Sequence, residues 1–169
     1  MRRLLFFALP FLLGTALLAG DWQRVSSEAC SASFALPGSA KMDTTTQSFG
    51  REGSVTRYKY VAIRGNSLYD VTCGVYPAAR LRTDKQRRSV LSTMTKRLKK
   101  KGKVARAGKK EVAGQPGREV VVSVKDGLAM QHHRLVAAGN RLVIMTAGRL
   151  KGSGDNDALQ RFFDSLEFR

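Results

Sequence analysis

Residues 118–147, REVVVSVKDGLAMQHHRLVAAGNRLVIMTA, contain three apolar runs separated by two turn signals. The turns are Asp126-Gly127 and Gly139-Asn140, and such pairs readily adopt the positive φ angles of tight hairpins. Each run is about ten residues long and rich in β-branched residues, which is typical of strands. We therefore predict a three-stranded antiparallel meander. Its first and last strands are apolar on both faces, so other elements should cover the sheet.

Shorter stretches upstream predict further strands. Residues 31–36 are apolar and end at Pro37-Gly38, and residues 54–63 alternate in polarity. After the turn signal Gly65-Asn66, the next strand should place Tyr69, Val71 and Cys73 on its core side. Residues 39–53 are polar and without periodicity, which predicts a loop.

Two amphipathic helices are predicted, one in the middle of the chain and one near its C-terminal end. The first spans 83–101, with a capping box of Thr83 and Gln86 and a stop at Gly102. Its apolar stripe consists of Val90, Leu91, Met94 and Leu98. The second follows the caps at 155–157 and presents the stripe Leu159, Phe162, Phe163 and Leu166. Between the first helix and the meander we predict a basic edge strand or loop, with a turn at Gln115-Pro116-Gly117.

The N-terminus indicates export. Arg2 and Arg3 precede an uncharged run from Leu4 to Gly20, the order of an export signal, and we expect cleavage near Asp21. The alternative is a retained anchor, but 17 residues are at the short limit for spanning about 30 Å of hydrocarbon. The segment resembles a bacterial lipoprotein signal in which Asp21 replaces the lipid-accepting cysteine. We therefore predict a signal peptide over 1–20, one domain over 21–169, and a secreted or periplasmic protein without a stable membrane anchor.

Positive charge is concentrated in one window. The 169 residues carry a net charge of +17, which favours anionic partners. Between residues 80 and 110, fourteen Lys or Arg accompany one acid, Asp84. On the first helix, the cations opposite the apolar stripe are Lys85, Arg88, Lys96, Lys99 and Lys100. This surface is either a solvated face or a docking site for lipid, polysaccharide or an acidic protein. Nucleic acid is disfavoured by the export signal and by the lack of aromatic residues between the charges.

Catalytic and metal-binding patterns are weak. His132 and His133 are adjacent, so in a strand their side chains point to opposite faces and cannot chelate one metal ion. Neither a Cys-x-x-Cys pair nor a phosphate-binding glycine loop occurs, and nothing local would activate Cys73 as a nucleophile. We predict no catalytic residue, no metal site and no cofactor.

The order of elements predicts an α+β domain with a mainly antiparallel sheet of about six or seven strands covered by two amphipathic helices. The stretches SASFALPG, YDVTC before a helix, GQPGRE, RLVAAGNRLVIMTA and RFFDSLEF resemble the PsbP-like fold over residues 22–168. That group includes the photosystem subunit PsbP, the lipoprotein DcrB and many small exported proteins. The resemblance implies a fold, and it carries no ligand-binding residue over to this chain.

The two cysteines and the charge pattern lead to the functional predictions. Cys30 and Cys73 should form a disulfide, because export places both in an oxidising compartment and their strands could be neighbours. We expect a non-enzymatic exported binding or adaptor protein of the cell envelope, docking to an anionic component through its basic helix. The alternative is a small exported hydrolase or metal-dependent enzyme whose site the sequence does not reveal.

Overall fold

A computed structural model describes residues 22–153 and 155–169. This part of the chain forms ten strands, two α-helices and three short 3-10 turns. The helices are α1 (Asp84–Lys99) and α2 (Asn156–Asp164). The strands are β1 (Trp22–Ser27), β2 (Ala32–Pro37), β3 (Lys41–Ser48), β4 (Ser54–Arg64), β5 (Ser67–Val75), β6 (Lys103–Val112), β7 (Gln115–Val124), β8 (Ala129–Ala138), β9 (Arg141–Leu150) and β10 (Glu167–Phe168).

The strands form a large and a small sheet. The large sheet has seven strands in the order β3-β4-β5-β9-β8-β7-β6, and the small one has three in the order β1-β2-β10. Every pairing is antiparallel. The predicted meander is confirmed as β7, β8 and β9, with turns at the predicted positions. Strand β9 lies at the centre of the large sheet, between β5 and β8.

One face of the large sheet packs against the small sheet and α2. This core includes five buried aromatic side chains, and edge-on ring contacts join Phe34 to Tyr60 at 5.2 Å and Tyr69 to Phe162 at 5.2 Å. Tyr69, Val71 and Cys73 face this core as predicted. Trp22 lies at its rim, with its ring 5.6 Å from that of Tyr69. This first core lies against β4, β5 and β9 and continues to Val136 of β8 and Val112 of β6, so it holds most of the large sheet to the second layer.

Helix α1 packs on the opposite face, over β7 and β8. Leu91 and Leu98 are buried there against Val120, Val122 and Leu135, while Val90 and Met94 of the predicted stripe are partly buried beside them. The helix ends where Gly102 brings the backbone close to Ser123, and a Cβ at Gly102 would clash with the Ser123 carbonyl oxygen. Helix α1 thus covers one end of its face, whereas the first core extends along most of the other face.

The disulfide joins Cys30 and Cys73, whose Cα atoms are 6.1 Å apart. Cys30 lies in the turn between β1 and β2, and Cys73 lies on β5 facing the first core. Both residues are fully buried. The bridge ties the small sheet to the middle of the large one.

The sequence analysis was wrong at several strands. Residues 39–53, predicted as a loop, contain β3, which forms one edge of the large sheet. Its eight residues are all exposed, so no apolar alternation marks it. Strand β1 was not predicted, and its pattern is also mostly exposed.

The turn before β7 lies two residues earlier than predicted. Ala113 and Gly114 adopt positive φ angles of 49° and 70° and connect β6 to β7, whereas residues 115–117 already belong to β7. Pro116 is tolerated because strand β8 begins to pair only at Gly117, so the missing N–H of Pro116 falls at the start of the strand.

The prediction that two helices cover the sheet is confirmed only in part. Helix α1 lies across β7 and β8 of the large sheet, while α2 packs against β2 of the small sheet and reaches the large sheet through Phe162 and Phe163. The predicted stripe of α2 is nevertheless buried at Phe162, Phe163 and the adjoining Leu166. Residues 1–20, predicted as a signal peptide, lie outside the described residues. Within 22–153 and 155–169, no helix is long and apolar enough to cross a membrane.

Candidate functional site

Helix α1 begins at the predicted capping box. The Thr83 hydroxyl accepts from the Gln86 backbone N–H at 3.2 Å, and the Gln86 side-chain oxygen accepts from the Thr83 N–H at 2.9 Å. Arg87 pairs with Asp84 in the first turn and also donates to the carbonyl of Leu81 at 2.8 Å. The hydrogen bond and the charge of Arg87 hold the pKa of Asp84 below its usual value. These contacts fix the start of the helix, so Arg87 has a structural role.

The five predicted docking cations lie together on the outward side of α1. At 3.6 residues per turn they fall within about one third of the helix circumference, opposite Leu91 and Leu98, and they extend over about 22 Å. All five are exposed, and none forms an ion pair within the described residues; they are Lys85, Arg88, Lys96, Lys99 and Lys100. We call this set the basic face of α1. It comprises two groups of positive charge, Lys85 with Arg88 and Lys96 with Lys99 and Lys100, separated by about two helical turns.

Strand β6 continues this positive surface beside the helix. Its cations are Lys103, Arg106, Lys109 and Lys110, against the single acid Glu111. Arg106 forms an ion pair with Glu119 at 2.9 Å. Lys109 lies directly opposite Arg118 on β7, an arrangement of like charges that weakens strand pairing unless an anion is nearby. The sequence analysis counted these cations but did not assign them to a site, because their position at a sheet edge depends on strand order.

Two hollows adjoin this surface. One, of about 550 Å³, lies between the first half of α1 and the β6–β7 hairpin and is lined by Arg88, Leu91, Pro116 and the cations Lys109, Lys110 and Arg118. The other, of about 620 Å³, lies beyond the C-terminal end of α1 and is lined in part by Lys101, Lys103 and Lys125. Both hollows are thus bordered by several cations, which suits them to carboxylate, phosphate or sulfate groups.

A polar row crosses the sheet face on the side of α1. Asp70, Thr146 and His133 lie opposite one another on β5, β9 and β8. The His133 Nδ1 is 3.0 Å from the Thr146 hydroxyl, while Asp70 accepts from Thr72 at 2.9 Å and pairs with Lys59 at 3.2 Å. Only sheet register brings these residues together, so the sequence analysis did not find them.

The environment of His133 argues for a structural role. Only 1% of the residue is exposed, and burial, followed by the charges of Lys101 and His132, lowers its pKa to about 4. The ring is therefore neutral at pH 7. A substrate could not contact this ring directly, although the Thr146 hydroxyl beside it is only half-buried. Within the described residues, no group of three or more His, Cys, Asp or Glu side chains is placed to hold a metal ion.

Arg134 forms the second buried polar cluster, on the opposite face of β8. It donates to Asp164 of α2 at 2.8 Å, lies 3.8 Å from Glu119, and stacks over the Phe163 ring at 4.7 Å. The two carboxylates neutralise a guanidinium that is nine-tenths buried. This cluster attaches α2 to the large sheet and offers no open coordination position.

Comparison with known proteins identifies the fold. No protein-family model matches the chain, and no curated protein matches it. Among solved structures, it is similar to cyanobacterial PsbP (CyanoP) from Synechocystis, with 13% identity, a TM-score of 0.55, and coverage of 91% of this chain and 96% of that one. A second similar structure comes from Bacteroides thetaiotaomicron, with 11% identity and a TM-score of 0.50; the match covers 86% of this chain and 48% of the other. The chain therefore has a PsbP-like fold.

Proposed function

We propose that this chain is an exported, non-enzymatic binding or adaptor protein of the cell envelope that docks to an anionic partner through the basic face of α1. The observation that carries the proposal is the row of five exposed cations without ion-pair partners in the described residues. By contrast, Arg87 and Arg134 form ion pairs that hold parts of the fold together.

The magnitude of the charge supports measurable docking. A Lys or Arg close to an anionic membrane contributes about 1 kcal/mol, so three or four engaged together would raise binding by about two to three orders of magnitude. Such binding weakens with salt, because the screening length falls to about 8 Å at physiological ionic strength. The basic face contains serines and threonines between its cations rather than large apolar residues, so electrostatics should dominate.

Export is supported by the N-terminal sequence and by the cysteine pair. A buried disulfide is typical of proteins that fold in an oxidising compartment, and Cys30 and Cys73 form one here. We propose cleavage near Asp21, release beyond the inner membrane and no lipid attachment. Intact-mass measurement of the protein purified from its envelope fraction would test this. Retention of residues 1–20 or an added diacylglycerol would contradict it.

Docking is tested with mature protein and vesicles. We expect co-sedimentation with anionic vesicles at low salt, much less at physiological salt, and none with neutral vesicles; an acidic polymer should compete. Changing Lys96, Lys99 and Lys100 to Glu should abolish binding. The matched control changes Lys41, Arg64 and Lys151, exposed cations outside the basic window, to Glu. Equal loss in both variants would show that net charge alone matters and would contradict a docking face.

The second candidate is the small exported hydrolase of the sequence analysis. The contact between the Thr146 hydroxyl and His133 is the observation that favours it, because a hydroxyl beside an imidazole can act as a nucleophile and its base. Hydrolysis of a panel of activated esters, lost in Thr146→Ala and in His133→Gln variants that remain folded, would support this function. Absence of turnover on the panel would favour the binding protein.

A further inference from the structure

Strand β6 is an open edge of the large sheet. Within residues 22–153 and 155–169 it pairs only with β7, and nine of its ten residues are exposed or half-exposed. Helix α1 packs mainly on β7 and β8, and of β6 only Ala107 is among the residues that pack against the core beneath the helix. One row of its backbone N–H and C=O groups therefore faces away from the sheet. An open row of this kind can accept a further strand from another chain.

The side chains of β6 carry positive charge to both sides of the edge. Lys109 shares the face of α1, whereas Arg106 and Lys110 point to the other face. Gly108 between them leaves open space, since a Cβ added there would meet nothing within 4 Å. A strand laid along β6 would therefore have cations beside it on both faces and room at its centre.

The opposite edge of the sheet shows that this charge is particular to β6. Strand β3 has one cation, Lys41, and one acid, Asp43, so its net charge is zero. Strand β6 has four cations and one acid. Two copies of β6 would repel each other, which protects the edge against self-association. The same charges attract an acidic strand. Specificity therefore comes from repulsion of a second β6 and attraction of an acidic segment.

The two hollows lie near the ends of this edge. Lys109 and Lys110 border the first, and Lys103 borders the second. From Lys103 to Lys110 an extended strand covers about 23 Å, the length of about seven added residues. Acidic side chains of a bound segment could enter the hollows at both ends while its centre pairs with the backbone of β6.

We propose that β6 binds an extended acidic peptide segment of another protein by adding it to the sheet. Main-chain hydrogen bonds hold the segment, and its carboxylates lie against Lys103, Lys109 and Lys110. This inference rests on the proposed function and deepens it, because it names an acidic protein segment as the anionic partner. The basic face of α1 then attracts the partner, and β6 selects its extended form.

The test uses three synthetic peptides of the same acidic sequence, eight residues with the pattern Glu-Glu-Val-Val repeated, which places carboxylates on both faces of an extended strand. The first is unmodified, the second is N-methylated at every residue, and the third is N-methylated at alternate residues only. The second peptide keeps all carboxylates but has no main-chain N–H donor. The third keeps the N–H groups along one edge of the extended strand. We expect the first and third to bind within a few-fold of each other and the second about a hundredfold more weakly, as loss of several main-chain hydrogen bonds requires.

Amide signals of the isotope-labelled protein provide the second readout. Binding of the unmodified peptide should shift the signals of the β6 amides and slow their hydrogen exchange. The double variant Lys109→Glu/Lys110→Glu should weaken peptide binding at least as much as the double variant Lys96→Glu/Lys99→Glu. Equal affinity of all three peptides, or shifts confined to α1, would overturn strand addition while leaving docking by charge intact. Absence of binding to every peptide and to anionic vesicles would overturn both proposals.

Discussion

The two ends of the seven-stranded sheet are built differently. Toward the β4–β5 end, the small sheet, α2, a buried disulfide and several aromatic contacts cover one face, and this core continues as far as Val112 of β6. At the β8–β6 end, a single helix covers the other face, and its outward side and neighbouring strand carry most of the positive charge. The first end concentrates cross-links and buried area, while the second presents a charged surface. The stabilising cross-links and the proposed docking surface are thus largely separated, so we expect each to be changeable with limited effect on the other.

The largest expected effect comes from the aromatic core of the first end. Phe162 is fully buried and contacts the Tyr69 ring, so Phe162→Ala should lower the free energy of unfolding by about 3–5 kcal/mol. Urea unfolding followed by circular dichroism measures this. The matched change at the second end is Leu98→Ala, with an expected loss of about 2–4 kcal/mol. A greater loss at Leu98 would contradict the contrast between the two ends.

Removal of the disulfide tests whether the ends are independent. Changing Cys30 and Cys73 to Ala should lower the free energy of unfolding by about 2–4 kcal/mol, because the bridge closes a separation of 43 residues. Salt-sensitive binding to anionic vesicles by the protein that remains folded should be unchanged. Parallel loss of binding in folded protein would show that the basic face depends on the cross-linked end.

Acid should destabilise the second end through His133. Its pKa is about 4 in the fold, below the ordinary 6.5, so between these pH values the unfolded chain takes up a proton that the folded one refuses. The contribution of His133 to the free energy of unfolding is complete above pH 6.5. It is lost on acidification to about pH 4, which lowers the free energy of unfolding by about 3 kcal/mol in total. Urea unfolding at pH 7 and pH 4.5 should show a smaller difference for His133→Leu than for wild type. An unchanged difference would contradict the assignment.

The smallest expected effect is at the start of α1. Thr83→Ala removes the side-chain acceptor of the Gln86 N–H and should cost about 1 kcal/mol. Hydrogen exchange of amides in the first turn should accelerate, while exchange in the first core should not. Thr83→Ser keeps the hydroxyl and is the control. If Ser were as damaging as Ala, the cap would not be the cause.

Local patterns were sufficient to predict the meander, both helices and the capping box. The apolar runs around Asp126-Gly127 and Gly139-Asn140 predict the strands because the pattern and the turn chemistry agree there. The Thr-rich strand β3 was missed because an exposed edge strand has no buried side to impose alternation. The β6–β7 turn was misplaced because Ala113 adopts a positive φ angle that its residue type does not signal.

Some parts of the candidate site could likewise be predicted from local patterns, and other parts could not. The basic face of α1 could be predicted, because helical periodicity alone places Lys85, Arg88 and Lys96 on one side. The role of β6 could not, since it depends on which strand ends the sheet. The row of Asp70, Thr146 and His133 depends on register between strands distant in sequence. Properties of one element can be read locally, whereas properties shared between elements require topology.

The small sheet has a consequence for the order of folding. Strand β2 pairs with β10 through Ser33 and Glu167, so this sheet closes only when segments separated by most of the domain meet. Strands β6 to β9 pair through short hairpins and can nucleate early, because loop closure between near neighbours costs little entropy. Until the distant segments meet, the aromatic residues of the first core remain exposed to water. We expect the chain to aggregate most readily during this interval, through its exposed core residues rather than through the charged surface.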